Sequence, residues 1–419
     1  MKPQEKKNIR IVILGAGFGG VHTLKYLHKI RKKNISLTIT VVNKNNYFLF
    51  TPLLHEVATG GICGENIIEP LRNIFHPHHD DLYRATVKKV NVAKKTVETT
   101  LGSIQYDYLV YALGSKTNFF GVPGAEKHCF QLKTLENALC LKNHFIEMFE
   151  CAAKLKDSKV QEELLRFVLV GGGPTSVELA TEMSDFFYDS FAKLYTPDII
   201  QKVKIIIIQR EDELLPQFPP LLRKKSLKVV NKKKIEVRFN TVAVGVEKNG
   251  VTLDTGEFLP SATVIWVGGI IPNTLTYDKS PLVDTSGKLR VNEYLQLQDH
   301  PEVFALGDAA VYTNPGETHP VPTLAQVAMK QAKSVAENIH ASIIRKPPKA
   351  FIYRQSGIVV SLGRWRAVGQ IGSCTFFGRC MWLLWRIFYV SKLLSWHKRI
   401  RVLFDWTLDI FLPRDISEL

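Results

Sequence analysis

Two stretches of the chain carry residue types and spacings suited to holding a dinucleotide. In "GAGFGG" the spaced glycines are Gly15, Gly17 and Gly20, set between the β-branched run "IRIVIL" and a helical pattern from Val21 to about Lys32. Such glycines serve the tight turn, the close approach of a pyrophosphate and the packing of helix on strand. The helix N-terminus adds free N–H groups and a partial positive charge for the phosphates. The alternative is a glycine-rich structural turn. The pattern restarts after "FVLV", where "GGGPTS" places Gly171, Gly173 and Ser176 at the same offsets, with a helix expected from near Val177. Serine at the third position stays within the small-residue tolerance of that contact.

The strand after such a loop usually ends in an acid that holds a ribose hydroxyl pair. Here the first ends in Asn43 and the second, "IIIIQRED", in Gln209 and Arg210. An amide can bond a ribose hydroxyl but gives up the charge-assisted part of the bond. Lys44 either sits near the adenosine end or is a solvated surface lysine. Loss of the carboxylate at 209 removes a repulsion toward a 2′-phosphate, which Arg210 could pair with, so NADPH stays open; Glu211 and Asp212 could neutralise Arg210, which favours NADH. Glu178 and Glu182 share a helix face one turn apart. Glu178 is expected in the first turn, where the helix dipole suits an acid, and a structural role and a role near a nicotinamide both remain open. Asp308, after the short buried strand of "VFALGD", suits a sugar-like hydroxyl chain. A helix expected to open near Thr323 would aim its N-terminus at an electron-rich ring, with Gln326 and Lys330 on one face.

The rest of the chain must position these groups. With 419 residues and 45% hydrophobic content it can form two or three packed domains. A second strand, "SLTITVVN", completes a βαβ unit; alternating segments around 83 to 111 suggest an antiparallel insertion; and the composition past 350 turns aromatic and basic. Lys and Arg number 55 against 39 Asp and Glu, a net charge of +16 that favours anionic partners such as phospholipid or dinucleotide. No nucleic-acid recognition fold is evident, so nucleic acid is not expected as a partner. The six cysteines have neither C-x-x-C nor zinc spacing and read as reduced packing residues; no metal site is expected. "MKPQEKKNIR" lacks the apolar region of a secretory signal, and no window reaches 18 uncharged apolar residues, so neither export nor a spanning helix is expected.

The paired glycine loops, "YALGS" and "ALGDAA" resemble the two-dinucleotide flavoproteins of the disulfide-reductase type. "NNYFLFTPLLHEVATG", "TNFFGVPGAEKHCFQLKTLENA", "LVGGGPTSVELATEM", "VPTLAQVAMKQA" and the tail "MWLLWRIFYVSKLLSWHKRIRVLFDW" look, in order, like the type II NADH:quinone oxidoreductases, from about residue 9 to the end. The resemblance implies an α/β fold of two Rossmann-type domains, the second inserted in the first, with a C-terminal membrane-associating helical segment. The expected boundaries are 8–126 and 281–348 for the FAD domain, 127–280 for the NAD(P)H domain and 349–419 for the membrane region. It implies FAD at the first loop, NADH at the second, and two electrons passed to a membrane quinone without proton pumping. Gly15, Gly17 and Gly20 would contact the FAD pyrophosphate and Asp308 the ribityl chain, and Phe18, Asn43, Lys44, Thr51, Pro52, Ala112, Gly114, Gly307 and Ala325 would also bind cofactor. Gly171, Gly173, Pro174, Gln209, Arg210 and Gly268 would line the nucleotide side. Glu178, Gln326 and Lys330 would take the catalytic positions. The chain departs from the family at Asn43 and Gln209, where an acid is common, at Thr51 and Lys330, where Gln is, and at His55, where Tyr is. Lys330 would stabilise an anionic reduced flavin if it faces one; otherwise it points to solvent.

In the tail, Trp382, Trp385 and Tyr389 stand beside Arg386 and Lys392, a composition suited to helices lying in the headgroup plane of a membrane. The alternative is a helix docked on its own core or on a partner copy; a homodimer is expected, peripheral on the cytoplasmic face of the cell membrane. Two other functions keep the fold: an NADPH-dependent flavoprotein with another acceptor, and a low-turnover flavin redox sensor.

Overall fold

The computed structural model describes residues 8–30, 36–273, 276–277 and 283–418. The chain divides into two compact units, each assembled from separate stretches of sequence. The first comprises the chain up to Phe48, Glu69–Lys116 and Ile270–Arg354; the second comprises Leu49–Ile68, Thr117–Gly269 and Gln355–Leu419, both within the described residues.

The first unit is built on strand Ile9–Leu14, whose last four residues are fully buried as the apolar run requires. It pairs in parallel with Leu37–Asn43 on one side and Tyr108–Tyr111 on the other. Asp80–Arg84 extends one edge of the sheet and His300–Ala305 the other, also in parallel, with Gln296–Leu297 outermost. Helix Phe18–Ile30 buries Val21, Leu24 and Leu27, and helix Ala325–Ile343 buries Val327, Gln331, Val335 and Ile339 at helical spacing. The antiparallel insertion is present as Val87–Asn91, Thr96–Thr99 and Gly102–Gln105.

The second unit repeats the plan. Arg166–Val170 lies between Lys204–Ile208 and Thr263–Trp266, with Ile235–Arg238 beyond, all in parallel. The "IIII" of Lys204–Ile208 is buried on both faces, which explains its unbroken apolar character. Helix Pro174–Asp185 starts three residues before the expected Val177, because Pro174, with φ already fixed, takes the first helical position. Glu178 accordingly stands in the second turn, beyond the strongest part of the helix dipole, and the expectation that the first turn favours its charge does not hold.

The last stretch of this unit contains an antiparallel sheet, Ile358–Ser361, Ala367–Ile371 and Cys374–Gly378, followed by helices Arg379–Lys392 and Trp396–Phe411. Both helices bury charged residues among apolar ones and expose large apolar side chains. Arg386, Lys398 and Asp409 are buried, whereas Leu383, Ile387, Phe388, Ile400, Phe404 and Phe411 are exposed. Trp382 and Trp385 pack inward rather than seating at a boundary, with the Arg386 guanidinium 3.8 Å over the Trp382 ring and 4.7 Å over that of Trp406. Among the described residues no helix is long and apolar enough to cross a membrane, no group of side chains could hold a metal ion, and all six cysteines are free.

Candidate functional site

In the first unit the glycine loop folds as its spacing predicts. Gly15 has φ +93°, and a Cβ there would overlap the carbonyl oxygen of Ala112. A Cβ on Gly20 would overlap the carbonyl oxygen of Gly15, so the third glycine permits the helix to approach the strand. Beside Gly17 there is open space, which leaves room for a pyrophosphate at the start of a 13-residue helix. Phe18 opens that helix and meets Phe48 edge-on at 5.1 Å. Asn43 ends the next strand; its Oδ1 accepts the Ala16 N–H at 3.0 Å and its Nδ2 donates to the Asn45 carbonyl at 2.8 Å. Lys44 is exposed.

Ala112 and Gly114 follow the neighbouring strand, and Asp308 follows the one beyond it. The Leu306 N–H bonds the Tyr111 carbonyl at 3.1 Å, so the two strand ends lie side by side. Ser115 donates its hydroxyl to Asp308 at 2.5 Å, and the Gly307 N–H is taken by Gln331 at 2.7 Å. Neither Ser115 nor Gln331 was singled out in the sequence; both are ordinary polar residues whose role appears only once the strand ends meet. Ala325 opens its helix, one position from Gln326. Lys330 neither lies wholly in solvent nor is unattached: its ammonium donates to the Arg354 carbonyl at 2.6 Å and lies 5.0 Å from the Tyr353 ring centre.

The second unit holds the second loop in the same manner. Gly171 has φ +110°, and a Cβ there would come 2.5 Å from the Gly268 Cα, so the backbone of the loop and that of Gly268 approach closely. Gly173 faces open space, and Pro174 starts a 12-residue helix. Gln209 is buried; its Oε1 accepts the Gly172 N–H at 2.8 Å and its Nε2 donates to Glu211 at 2.5 Å and to the Glu213 carbonyl at 3.1 Å. Arg210, exposed, pairs with Glu211 at 2.9 Å. Thr51 and Pro52 form a short 3-10 turn in this unit.

Beneath the second helix lies a buried charged cluster. Glu178 accepts the Ser361 N–H at 3.1 Å, and desolvation, reinforced by Glu56 and Glu182, pushes its carboxyl up to about 8. Burial likewise pushes Glu56, bonded to the Trp406 indole at 2.5 Å, up to about 8, and His55 down to about 4. Both carboxyls are therefore protonated and His55 neutral near pH 7. Glu182 behaves oppositely. Burial opposes its charge, but Arg414 at 2.6 Å holds it below the usual range. Arg414 also pairs with Asp409 at 2.7 Å, and Arg364 with Asp409 at 3.0 Å. Glu56, Asp409 and Arg414 carried no sequence signal, since nothing about an isolated "PRD" shows that its arginine is interior.

The donor sets fit dinucleotides: two strand–glycine–helix turns, each with an open second-glycine position and a helix N-terminus. The pyridine nucleotide-disulphide oxidoreductase family profile matches residues 9–332, and the NDH2 C-terminal domain matches 356–415. The chain is 32% identical to a probable NADH dehydrogenase of Dictyostelium discoideum, over 98% of this chain and 91% of that one. It is 27% identical to the type II NADH:quinone oxidoreductase Ndh of Mycobacterium tuberculosis, covering 99% and 92%. Among solved structures, that of NDH2 from Plasmodium falciparum in complex with NADH superposes with a TM-score of 0.89 over 98% of this chain and 99% of that chain, at 23% identity, a likeness of fold. The chain belongs to the pyridine nucleotide-disulphide oxidoreductases and, within them, to the type II NADH:quinone oxidoreductase family.

Proposed function

We propose that the chain takes a hydride from NADH and delivers two electrons to a membrane quinone. The observation that carries this reading is the doubled strand–glycine–helix turn, one in each unit, within a chain matched by its family along nearly its whole length. Bound FAD would supply the two-electron carrier between nicotinamide and quinone. Gly15, Gly17, Phe18, Gly20, Asn43, Ala112, Gly114, Gly307 and Asp308 would hold it, and Ser115 fixes the Asp308 carboxylate for a hydroxyl chain. Gly171, Gly173, Pro174 and Gly268 would frame the nicotinamide dinucleotide, with open space at Gly173 and the positive end of the helix that opens at Pro174 available to its phosphates. Glu178, neutral near pH 7, keeps a proton in a buried place without presenting a negative charge to a reduced nicotinamide. Gln326 and Lys330 would take the acceptor side.

The protein sits on the membrane surface through Arg379–Lys392 and Trp396–Phe411. Their outward Leu383, Ile387, Phe388, Ile400, Phe404 and Phe411 are exposed apolar side chains of the kind that meets a membrane or a partner, and the net charge of +16 suits anionic lipid. The expected site is the cytoplasmic face. Pairing of two copies is the competing use of the same face. The test is NADH-driven reduction of a short-chain ubiquinone analogue by the detergent-purified chain, with flotation on anionic phospholipid vesicles. Rapid turnover and co-flotation, the latter lost in Ile387→Ser/Phe404→Ser, are expected. Flavin without turnover would refute the enzyme reading, and a detergent-free dimer that ignores vesicles would refute the membrane reading.

A further inference from the structure

The two glycine loops are braced alike, and one difference between the braces is informative. In each, the amide at the end of the following strand gives its oxygen to the N–H of the loop's second residue, Asn43 to Ala16 and Gln209 to Gly172. In each, the NH2 of that amide reaches the residue two positions later. On the first loop it meets a main-chain oxygen, that of Asn45; on the second it meets a carboxylate, that of Glu211, at 2.5 Å. The remaining Glu211 oxygen receives both the Nε and the Nη2 of Arg210, at 3.1 and 2.9 Å.

Three N–H donors therefore fix one carboxylate beside the second loop. A surface ion pair alone would place it poorly, but here the anchor is Gln209, only 5% exposed and itself tied to the loop and to the Glu213 carbonyl. The Glu211 side chain remains 47% exposed and that of Arg210 75%, so both stay open to a ligand. The Arg210 guanidinium holds the Glu211 carboxyl below its usual range, so it is ionised at neutral pH.

We infer that Glu211 is the specificity-determining residue for the adenosine ribose of the nicotinamide dinucleotide, supplying the carboxylate that position 209 lacks and excluding a 2′-phosphate. The carboxylate accepts from the vicinal ribose hydroxyls, repels a phosphate dianion and occupies the arginine that would otherwise receive that phosphate. This rests on the nucleotide reading of the second loop given above.

The test uses ADP-ribose and 2′-phospho-ADP-ribose, which carry no hydride, titrated calorimetrically into the flavin-loaded full chain. The wild type is expected to prefer ADP-ribose. Glu211→Ala is expected to weaken ADP-ribose by about 10- to 100-fold, the range of a lost hydrogen bond to a charged group. It should also tighten the 2′-phosphorylated probe by releasing Arg210; adding Arg210→Ala should abolish that gain. Both residues are exposed, and an unchanged thermal midpoint and flavin content will establish that the variants fold. An unchanged affinity ratio in Glu211→Ala overturns the assignment while leaving the nucleotide reading in place, as does a wild type that prefers the phosphorylated probe. Failure of the wild type to bind either compound overturns both.

Discussion

Replacing Arg414 with methionine should cost the second unit more than any surface change and should alter how its stability depends on pH. The guanidinium is buried between Glu182 at 2.6 Å and Asp409 at 2.7 Å. Methionine keeps much of the length and none of the charge. Asp409 retains Arg364, but Glu182 loses its direct ion pair and is left with the longer-range attraction of Arg386 and a His55 that burial keeps neutral near pH 7. Breaking a buried pair from one side costs about 3–5 kcal/mol. At about 2–4 °C per kcal/mol for a unit of this size, the melting point should fall by about 6–20 °C near neutrality. The sign with pH follows from Glu182. In the wild type its carboxyl is depressed, so its contribution is present above the ordinary value of 4.5 and is lost as pH falls through the folded value. Without Arg414 the buried carboxyl rises, so stability is instead lost as pH climbs above 4.5. The gap between the two proteins should therefore grow as pH rises from about 4 to about 7, being smallest at the acid end. Thermal unfolding followed by circular dichroism across that range measures it, and Glu182→Gln in the Arg414→Met background should recover much of the loss. A loss of equal size at both ends of the range would mean that packing, not charge, sets the cost.

Gly20→Ala should yield protein lacking bound flavin, read from its visible absorbance, because the added Cβ overlaps the Gly15 carbonyl oxygen; a variant with full flavin content would contradict the close approach argued for that loop. Glu178→Gln should retain the Ser361 contact and remove an alkaline limb near pH 8 from the rate of flavin reduction by NADH, as expected for a carboxyl that loses its proton at about 8. A limb of the same position in the variant would assign it to another group.

Much of the nucleotide-binding framework was legible because backbone geometry dictates residue type there. A turn at φ +93° or +110° selects glycine, and strands buried on both faces write "IVIL" and "IIII". The amides were visible as departures but not as braces, since whether Asn43 or Gln209 bonds a ligand or its own loop depends on side-chain geometry that residue type does not fix. The tail misled in part. Tryptophan beside arginine suits a membrane boundary, and the same pair suits an interior where the cation lies over the ring, as Arg386 does over Trp382. The three-stranded sheet between 358 and 378 went unread, because its strands are four or five residues long and partly exposed, which leaves little alternation to detect.

The Arg414 contact also bears on how the chain is made. Glu182 emerges from the ribosome 232 residues ahead of the guanidinium that neutralises it. Until that arginine arrives, the helix behind the second glycine loop must either leave Glu182 in water or protonate it, so its close packing is deferred. Vectorial synthesis therefore cannot finish this unit piece by piece; the nucleotide-binding strands can assemble early, while the interior beneath them closes only when the stretch after helix Trp396–Phe411 has been delivered.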